Sequence, residues 1–580
     1  MSNSWKYALA LFFISLALYI PSFSNGFIWD DNIIIDHQIH TLRDARTFFF
    51  PVRTQESTPA YYRPAVGLSL VLDYSIHYKN PRGYHLTNIL INLFNVLLVF
   101  LLSLNLFELM ELRHRHFLSF MSALLFAVHP LHVESVSWIA GRTDLIVTFF
   151  SLLAFLSYVL FRKEKNLPVL LASIVFYFFA LLSKENAVGL LLLFPLFDLL
   201  VLRKKLQRTL LPFIFFLLIT AFYFYLRYMA GCLTVPPGAG EEPTLFSKAI
   251  TLIYAFGFYL RKLIYPLPLS MFIDEVPRKI YSGFLPLLYI LILVISLMKR
   301  RRAAFLLLWI LLTLGPSLLI AISRLASTPL AERYLYLPSV GFALLVPYAL
   351  YRIGRPMKKE VLFLYLLVPY LLWFAIETLD RQRVWKDDLS LWADAVEKAP
   401  RSALPHNEYG AALRERGLIR EAEREFLTAL TSDSRGGKSG KAYAATNLAL
   451  IYMDRKEYGA AEKYLKEALE FYPDYPIALY DLGLLYLIRA KNEGENGEPN
   501  RALLIKAGKT LKRAVKIDPN FIRAHLMLGE AYYLYGKPQK ARKHLDKVIE
   551  LDPRSPEAQD AVKLLSKIET AGENRDEKMD

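Results

Sequence analysis

From Tyr7 to about residue 379 the chain consists of long apolar runs separated by short polar stretches. Inside lipid, a spanning segment must satisfy all its own backbone N–H and C=O groups, and a helix needs about 20 apolar residues to cross a core roughly 30 Å thick. The run YALALFFISLALYIPSF (Tyr7 to Phe23) opens the series. Further spans are expected near 88–107, 117–132, 143–161, 167–183, 187–202, 209–228, 283–298, 303–321, 336–351 and 361–379. That makes about eleven membrane helices in an all-α protein. Lys6 precedes the first run, but no small-residue cleavage site follows it before WDDN, so it reads as a retained anchor.

Charge orients the spans. The chain carries +16 at pH 7 alongside 54% hydrophobic residues, a pairing that suits basic membrane flanks and not a nucleic-acid binder. The basic residues cluster at Arg113 and Arg115, at Arg162, Lys163 and Lys165, at Arg203, Lys204, Lys205 and Arg208, at Lys299 to Arg302, and at Arg352, Arg355, Lys358 and Lys359. These are alternate loops. By the positive-inside rule the N-terminus is cytoplasmic and residues 380–580 are external or luminal. The membrane would be the plasma membrane in a prokaryote or the endoplasmic reticulum in a eukaryote. Lys248 to Pro266 is apolar enough to cross, but crossing would put the later basic loops outside, so it is expected to lie in the interface. The single cysteine, Cys232, excludes an intramolecular disulfide and reads as a buried thiol.

The polar segments on the external side hold most of the remaining His, Asp, Glu and unclustered Arg. They are Ser24–Thr87, HPLHVESVSWIAGRTD (His129 to Asp144), SKEN (Ser183 to Asn186), Gly231–Ser282 and SRLASTPLAERYLYLPS (Ser323 to Ser339). Ionisable groups at a membrane edge are expensive and mark function. Asp30 and Asp31 in GFIWDDN are the plainest case, because adjacent carboxylates raise each other's proton affinity. The alternative use for either is to cap the helix that follows.

Beyond residue 380 small residues recur at fixed offsets. Gly410, Ala422, Phe426 and Ala429 form one set; Ala449, Ala461, Leu465, Ala468 and Pro473 form the next. Gly483, Ala507, Leu511, Ala514 and Pro519 give a third, with AKNEGENGEPNR inserted in its inter-helix turn, and Gly529, Ala541, Leu545, Val548 and Pro553 a fourth. This is the tetratricopeptide pattern, in which small residues let paired helices pack closely and proline ends the second one. Expected boundaries are a membrane domain at 1–380, a connecting half-unit around Trp392, Ala395 and Pro400 at 381–402, four repeats with a capping helix at 403–570, and a disordered tail at 571–580.

The strings GFIWDDN, YYRP (Tyr61 to Pro64), GYHLTN (Gly83 to Asn88), HPLHVESVSWIAGRTD, SKEN and AERYLYLPSVGF, followed by these repeats, resemble the transmembrane and tetratricopeptide repeat-containing O-mannosyltransferases. The resemblance implies a GT-C type glycosyltransferase domain that takes a sugar from a polyprenyl-phosphate carrier on the external or luminal face. It implies protein Ser or Thr hydroxyls as acceptors, and in an enzyme of this kind the repeats are expected to hold the acceptor protein or a partner. By the same resemblance Asp30 is the base and Asp31 its partner, which orients it, binds acceptor or holds a metal. An inverting single displacement needs one such carboxylate to take the hydroxyl proton.

Arg333 stands where the resemblance puts a lipid-phosphate contact, beside Glu332. Arg63, Arg142 and Lys184 are further external cations suited to a leaving phosphate. His85, His129, His132, Glu134, Asp144 and Glu185 are candidates for sugar or acceptor binding. His129, His132 and Asp31 could instead hold a divalent metal, although Pro130 interrupts any helix carrying both histidines; no cofactor is required. Two other readings stay open: the same donor chemistry on a lipid or cell-surface glycan, and a non-catalytic membrane scaffold displaying the repeats.

Overall fold

The computed structural model describes residues 4–35, 45–49, 61–232, 244–299, 301–323, 328–432, 437–494 and 498–576. Among them the chain is helical and forms no β-strand. It divides into two compact units, residues 1–398 and 399–580. Parts of three external segments (36–44, 50–60, 233–243 and 324–327), Arg300 in a basic loop, 495–497 in the repeat insertion and 577–580 lie outside the described residues.

Among the described residues of the first unit seven helices are long and apolar enough to cross a membrane: Ser4–Ser24, Pro81–Leu109, Arg142–Glu164, Thr209–Met229, Ile280–Lys299, Arg301–Ile322 and Glu360–Trp385. The other four expected spans are short or broken. Arg115–Ala127 and Pro130–Ser137 meet at a 50° bend, which would make an eighth span if the pair crosses together. Pro130 is the cause, since it removes a backbone donor and clashes with the preceding turn. Leu167–Leu181 has 15 residues. At about 1.5 Å per residue, a helix of that length falls short of a full core. The stretch near 187–202 divides into Gly189–Leu196 and a π-helical turn, Phe197–Val201, and the one near 336–351 is the 17-residue helix Pro338–Gly354.

The helix Leu245–Ile264 covers the segment expected in the interface and is not among the seven. Gly257 brings it against the helix Ile280–Lys299: a Cβ there would lie 1.9 Å from the Ser282 carbonyl oxygen. Backbone cannot retreat as a side chain can. Gly257→Leu is therefore expected to destabilise the unit by about 1–3 kcal/mol, seen as a lower midpoint of thermal unfolding in detergent, with a neutral result excluding this close approach.

Among its described residues the second unit holds four helix pairs and a last single helix; the pairs are Ala403–Glu415 with Ile419–Thr431, Gly437–Asp454 with Tyr458–Phe471, Pro476–Asn492 with Arg501–Ile517, and Ile522–Leu534 with Pro538–Leu551. The small residues do what their spacing predicts. A Cβ on Gly410, Gly483 or Gly529 would lie 2.6, 2.5 or 2.8 Å from the side chains of Phe426, Leu511 and Leu545 respectively. The inserted stretch falls between paired helices, and Asn500 caps the second of them by accepting from the Ala502 and Leu503 N–H groups. The last helix runs Pro556–Asp576, so the first six residues read as a disordered tail continue it.

Candidate active site

The GFIWDDN segment leaves the first helix and enters a short helical turn, Asp30–Ile33. Trp29, which precedes that turn, has φ 51° and ψ −121°. A side chain in this region costs of order 1–3 kcal/mol and persists only where surroundings enforce it. They do so here. The Trp29 indole stacks on Trp138 with centroids 4.9 Å apart and meets Trp392 edge-on at 5.7 Å, and the Trp29 backbone N–H donates to Asp388 Oδ1 at 2.8 Å. Trp385 stacks on the far side of this group, 6.3 Å from Trp138, so four of the chain's seven tryptophans gather around the acidic pair.

The two adjacent carboxylates have different jobs. Asp31 is buried, and its oxygens accept from the Ala140 N–H at 2.9 Å and the Ile28 N–H at 3.2 Å. Burial pushes its carboxyl up to about 8, against the pull of those two N–H groups. Asp31 is thus an anchor for the segment, and not a cap for the helix that follows, since it lies inside the turn Asp30–Ile33 and accepts from Ile28 and Ala140. The Asp30 side chain is half-buried and has no hydrogen-bond partner among the described residues. Burial raises its proton affinity, and the Arg333 guanidinium partly offsets the rise.

The string HPLHVESVSWIAGRTD braces both ends of this arrangement. Glu134 binds Arg333 twice, through an Nη1 ion pair and from the Arg333 backbone N–H at 3.0 Å. Trp138 stacks on Trp29 and also carries the Arg333 guanidinium over its ring at 5.1 Å. Ala140 anchors Asp31. Gly141 closes the turn because a Cβ would meet the Glu134 carbonyl oxygen at 2.8 Å. Arg333 keeps guanidinium N–H groups beyond the one given to Glu134; burial opposes its charge, but Glu134 more than offsets this and holds its pKa above the usual value.

Other cations flank Arg333. Lys184 and Arg333 lie over the Tyr334 ring at 4.7 and 5.2 Å, and Arg63 lies over Tyr61 at 4.1 Å. Each has its own carboxylate: Lys184 donates to Asp144 at 2.6 Å, and Arg63 to Glu185 at 2.9 Å. Burial would raise Glu185, but Arg63 and Lys184 pull it down to about 2. Lys184 is buried against Asp144, and burial lowers its pKa, so it serves the frame of the site and not its surface.

Several residues expected in the site stand behind it. Arg142 is fully buried, pairs with Asp73 at 2.6 Å and donates to Asn88 Oδ1 and the Tyr84 carbonyl, each at 3.0 Å, so no face remains for a phosphate. Glu332 points away from Arg333, into an ion pair with Lys262, and accepts from the Ser270 N–H at 3.1 Å. His129 is buried with both ring nitrogens used: Nε2–H donates to the Leu263 carbonyl at 3.1 Å and Nδ1 accepts from the Leu131 N–H at 3.4 Å, which fixes the neutral form. His132 is buried between Phe126 and Tyr336 and donates to Ser339 Oγ. His85 supports the acidic segment from below, donating to the Gly26 carbonyl at 3.3 Å. Asp31, His129 and His132 therefore do not converge on one point, and among the described residues no group of three or more His, Cys, Asp and Glu is arranged to hold a metal.

Sequence reasoning missed Lys262, Asp73, Asp388 and the tryptophan group. Lys262 had a signal, a charge near the end of an otherwise apolar helix. The others lie far in sequence from the residues they hold.

Fold and site together define a polytopic helical membrane protein with a carboxylate and guanidinium centre, continued by a tetratricopeptide array. Family models described as tetratricopeptide repeat match residues 409–476, 446–509 and 504–566. Protein O-mannosyl-transferase TMTC3 of Mus musculus is 25% identical over 606 residues, covering 92% of this chain and 63% of its own length. Protein O-mannosyl-transferase F38B6.6 of Caenorhabditis elegans is 25% identical over 74% of this chain, and TMTC4 of Homo sapiens 27% identical over 70%; each is covered over 63% of its length. The chain is similar to these O-mannosyl-transferases over most of its length, and it spans about 63% of the length of the curated relatives it matches. Among solved structures, YrrB, a TPR protein, aligns with 38% of this chain and 100% of its own at 20% identity and a TM-score of 0.24.

Proposed function

We propose that the chain is a membrane glycosyltransferase that moves mannose from a polyprenyl-phosphate carrier to Ser or Thr hydroxyls of proteins, with inversion at the anomeric carbon. The observation that carries this reading is the contrast within the acidic pair. Asp31 is spent on the backbone, whereas Asp30 leaves its carboxylate open within electrostatic reach of Arg333. In the reaction the acceptor oxygen bonds to the anomeric carbon while its proton passes to Asp30. The bond from that carbon to the phosphate oxygen breaks, and its electron pair leaves with the carrier phosphate. Arg333, with guanidinium N–H groups left over from Glu134, stabilises that charge as it grows. Glu134 and Trp138 hold the guanidinium in place, so it need not reorganise during the step. The names of the relatives supply the sugar and the protein acceptor. Purified protein supplied with radiolabelled polyprenyl-phosphate mannose and hydroxyl-bearing proteins tests the reading; label that stays on the lipid overturns it.

The reading requires the acidic pair and the repeats to lie on the non-cytoplasmic side, as the basic loops suggest. With Cys232 replaced, single cysteines at exposed Glu415 and Lys540 are expected to react with a membrane-impermeant maleimide in intact cells, while one at Lys358 is protected. The opposite pattern reverses the orientation and the side of catalysis.

A further inference from the structure

We propose that Asp388 is a positioning residue for Asp30: its carboxylate holds the Trp29 backbone turn from which the Asp30 side chain projects. The inference rests on the reading of Asp30 as the base. Asp388 Oδ1 accepts from the Trp29 N–H at 2.8 Å, across 359 residues of sequence. The same short segment grips the loop twice more, through the Lys386 carbonyl, which accepts from the Gly26 N–H at 3.1 Å, and through the Trp392 ring, while its Trp385 backs the Trp138 ring on which Trp29 stacks. Asp31 fastens the other side of the loop to Ala140.

Trp29 is the weak point of this arrangement, because φ 51° is unfavourable for any residue with a Cβ. Ring stacking alone constrains the indole and not the peptide plane. The hydrogen bond to Asp388 is what fixes that plane, and the next residue is Asp30. The region read from sequence as a connector is therefore part of the catalytic frame, within the first compact unit.

A base displaced by about 1 Å from its productive place can lose up to about 10²-fold in rate, so Asp388→Ala is expected to lower kcat at least about 10-fold. The donor KM should hold, since Arg333 is held separately by Glu134. Asp388→Asn keeps an acceptor oxygen toward the Trp29 N–H and should restore most of kcat. The test measures kcat and KM for polyprenyl-phosphate mannose with threonine-containing peptides, using full-length Asp388→Ala, Asp388→Asn and Asp30→Asn beside the parent. Near-UV circular dichroism of the stacked indoles reports the loop directly and is expected to change in Asp388→Ala only. If Asp388→Ala does not fold, Asp388→Glu replaces it, moving the carboxylate by one methylene, with the same loss expected. Parent-like kcat in that variant while Asp30→Asn is inactive overturns the positioning role and leaves the catalytic reading intact, as does an Asp388→Asn as slow as Asp388→Ala. Parent-like transfer by Asp30→Asn removes the catalytic reading and this inference with it.

Discussion

Transfer by Asp30→Asn is expected to fall by about 10²-fold or more, the usual contribution of a general base. The substitution nearly keeps the shape of the side chain and removes its capacity to take a proton. The pH profile gives a second signature. Burial raises the Asp30 pKa above the ordinary carboxylate range, with Arg333 offsetting part of the rise. The base works only when ionised, so the parent rate should rise with pH through that raised value and fall below it. This acid limb should vanish from the residual activity of Asp30→Asn. Asp31→Asn should act differently, because exchanging one carboxylate oxygen for an amide leaves either Ile28 or Ala140 without an acceptor. Initial rates across pH, on variants with unchanged thermal unfolding, decide the matter. A normal Asp30→Asn beside a dead Asp31→Asn exchanges their roles, and two normal variants remove the assignment.

Asp73→Ala is expected to cost about 3–5 kcal/mol of stability, the range found when one partner of a buried ion pair is removed. Arg142 would keep its bonds to Asn88 and Tyr84 but stand as a buried cation without a counter-charge. Unfolding in detergent measures the loss directly. The result also separates two uses of Arg142, because a donor-binding arginine would leave stability unchanged in Asp73→Ala while altering the KM for the carrier lipid.

How much of this was legible beforehand depends on how far each feature reaches along the chain. Apolar run length and the offsets linking Gly410 to Phe426 or Gly529 to Leu545 are local, and those elements follow from periodicity. The positions of Asp30, Arg333 and Glu134 were legible as candidates because charge at a membrane edge is costly. Their partners were not. Glu134 lies 199 residues from Arg333, and Lys262 lies 70 from Glu332, so no window of sequence contains both members of either pair. Nor can adjacency reveal which of Asp30 and Asp31 is tied down. That depends on Ala140, delivered by the turn that precedes the helix Arg142–Glu164. Four expected spans proved short or broken for a related reason: hydropathy registers apolar length but not the bend at Pro130 or the π-turn at Phe197.

If the donor is lipid-linked, as proposed, the pairing of charges around Arg333 has a consequence for how it arrives. Arg63 with Glu185, Lys184 with Asp144, Lys262 with Glu332 and Arg333 with Glu134 make four matched couples. With its cations matched in this way the region has little positive field to project into the surrounding water, unlike the unmatched basic grooves that gather polyanions and lose them in salt. Soluble phosphates passing by would be ignored. A carrier diffusing within the bilayer plane is already confined by its lipid tail, and needs only short-range contacts once it reaches the guanidinium. Discrimination then falls to whichever molecule arrives by the membrane route, and the chain is spared competition from the abundant anions of the aqueous phase.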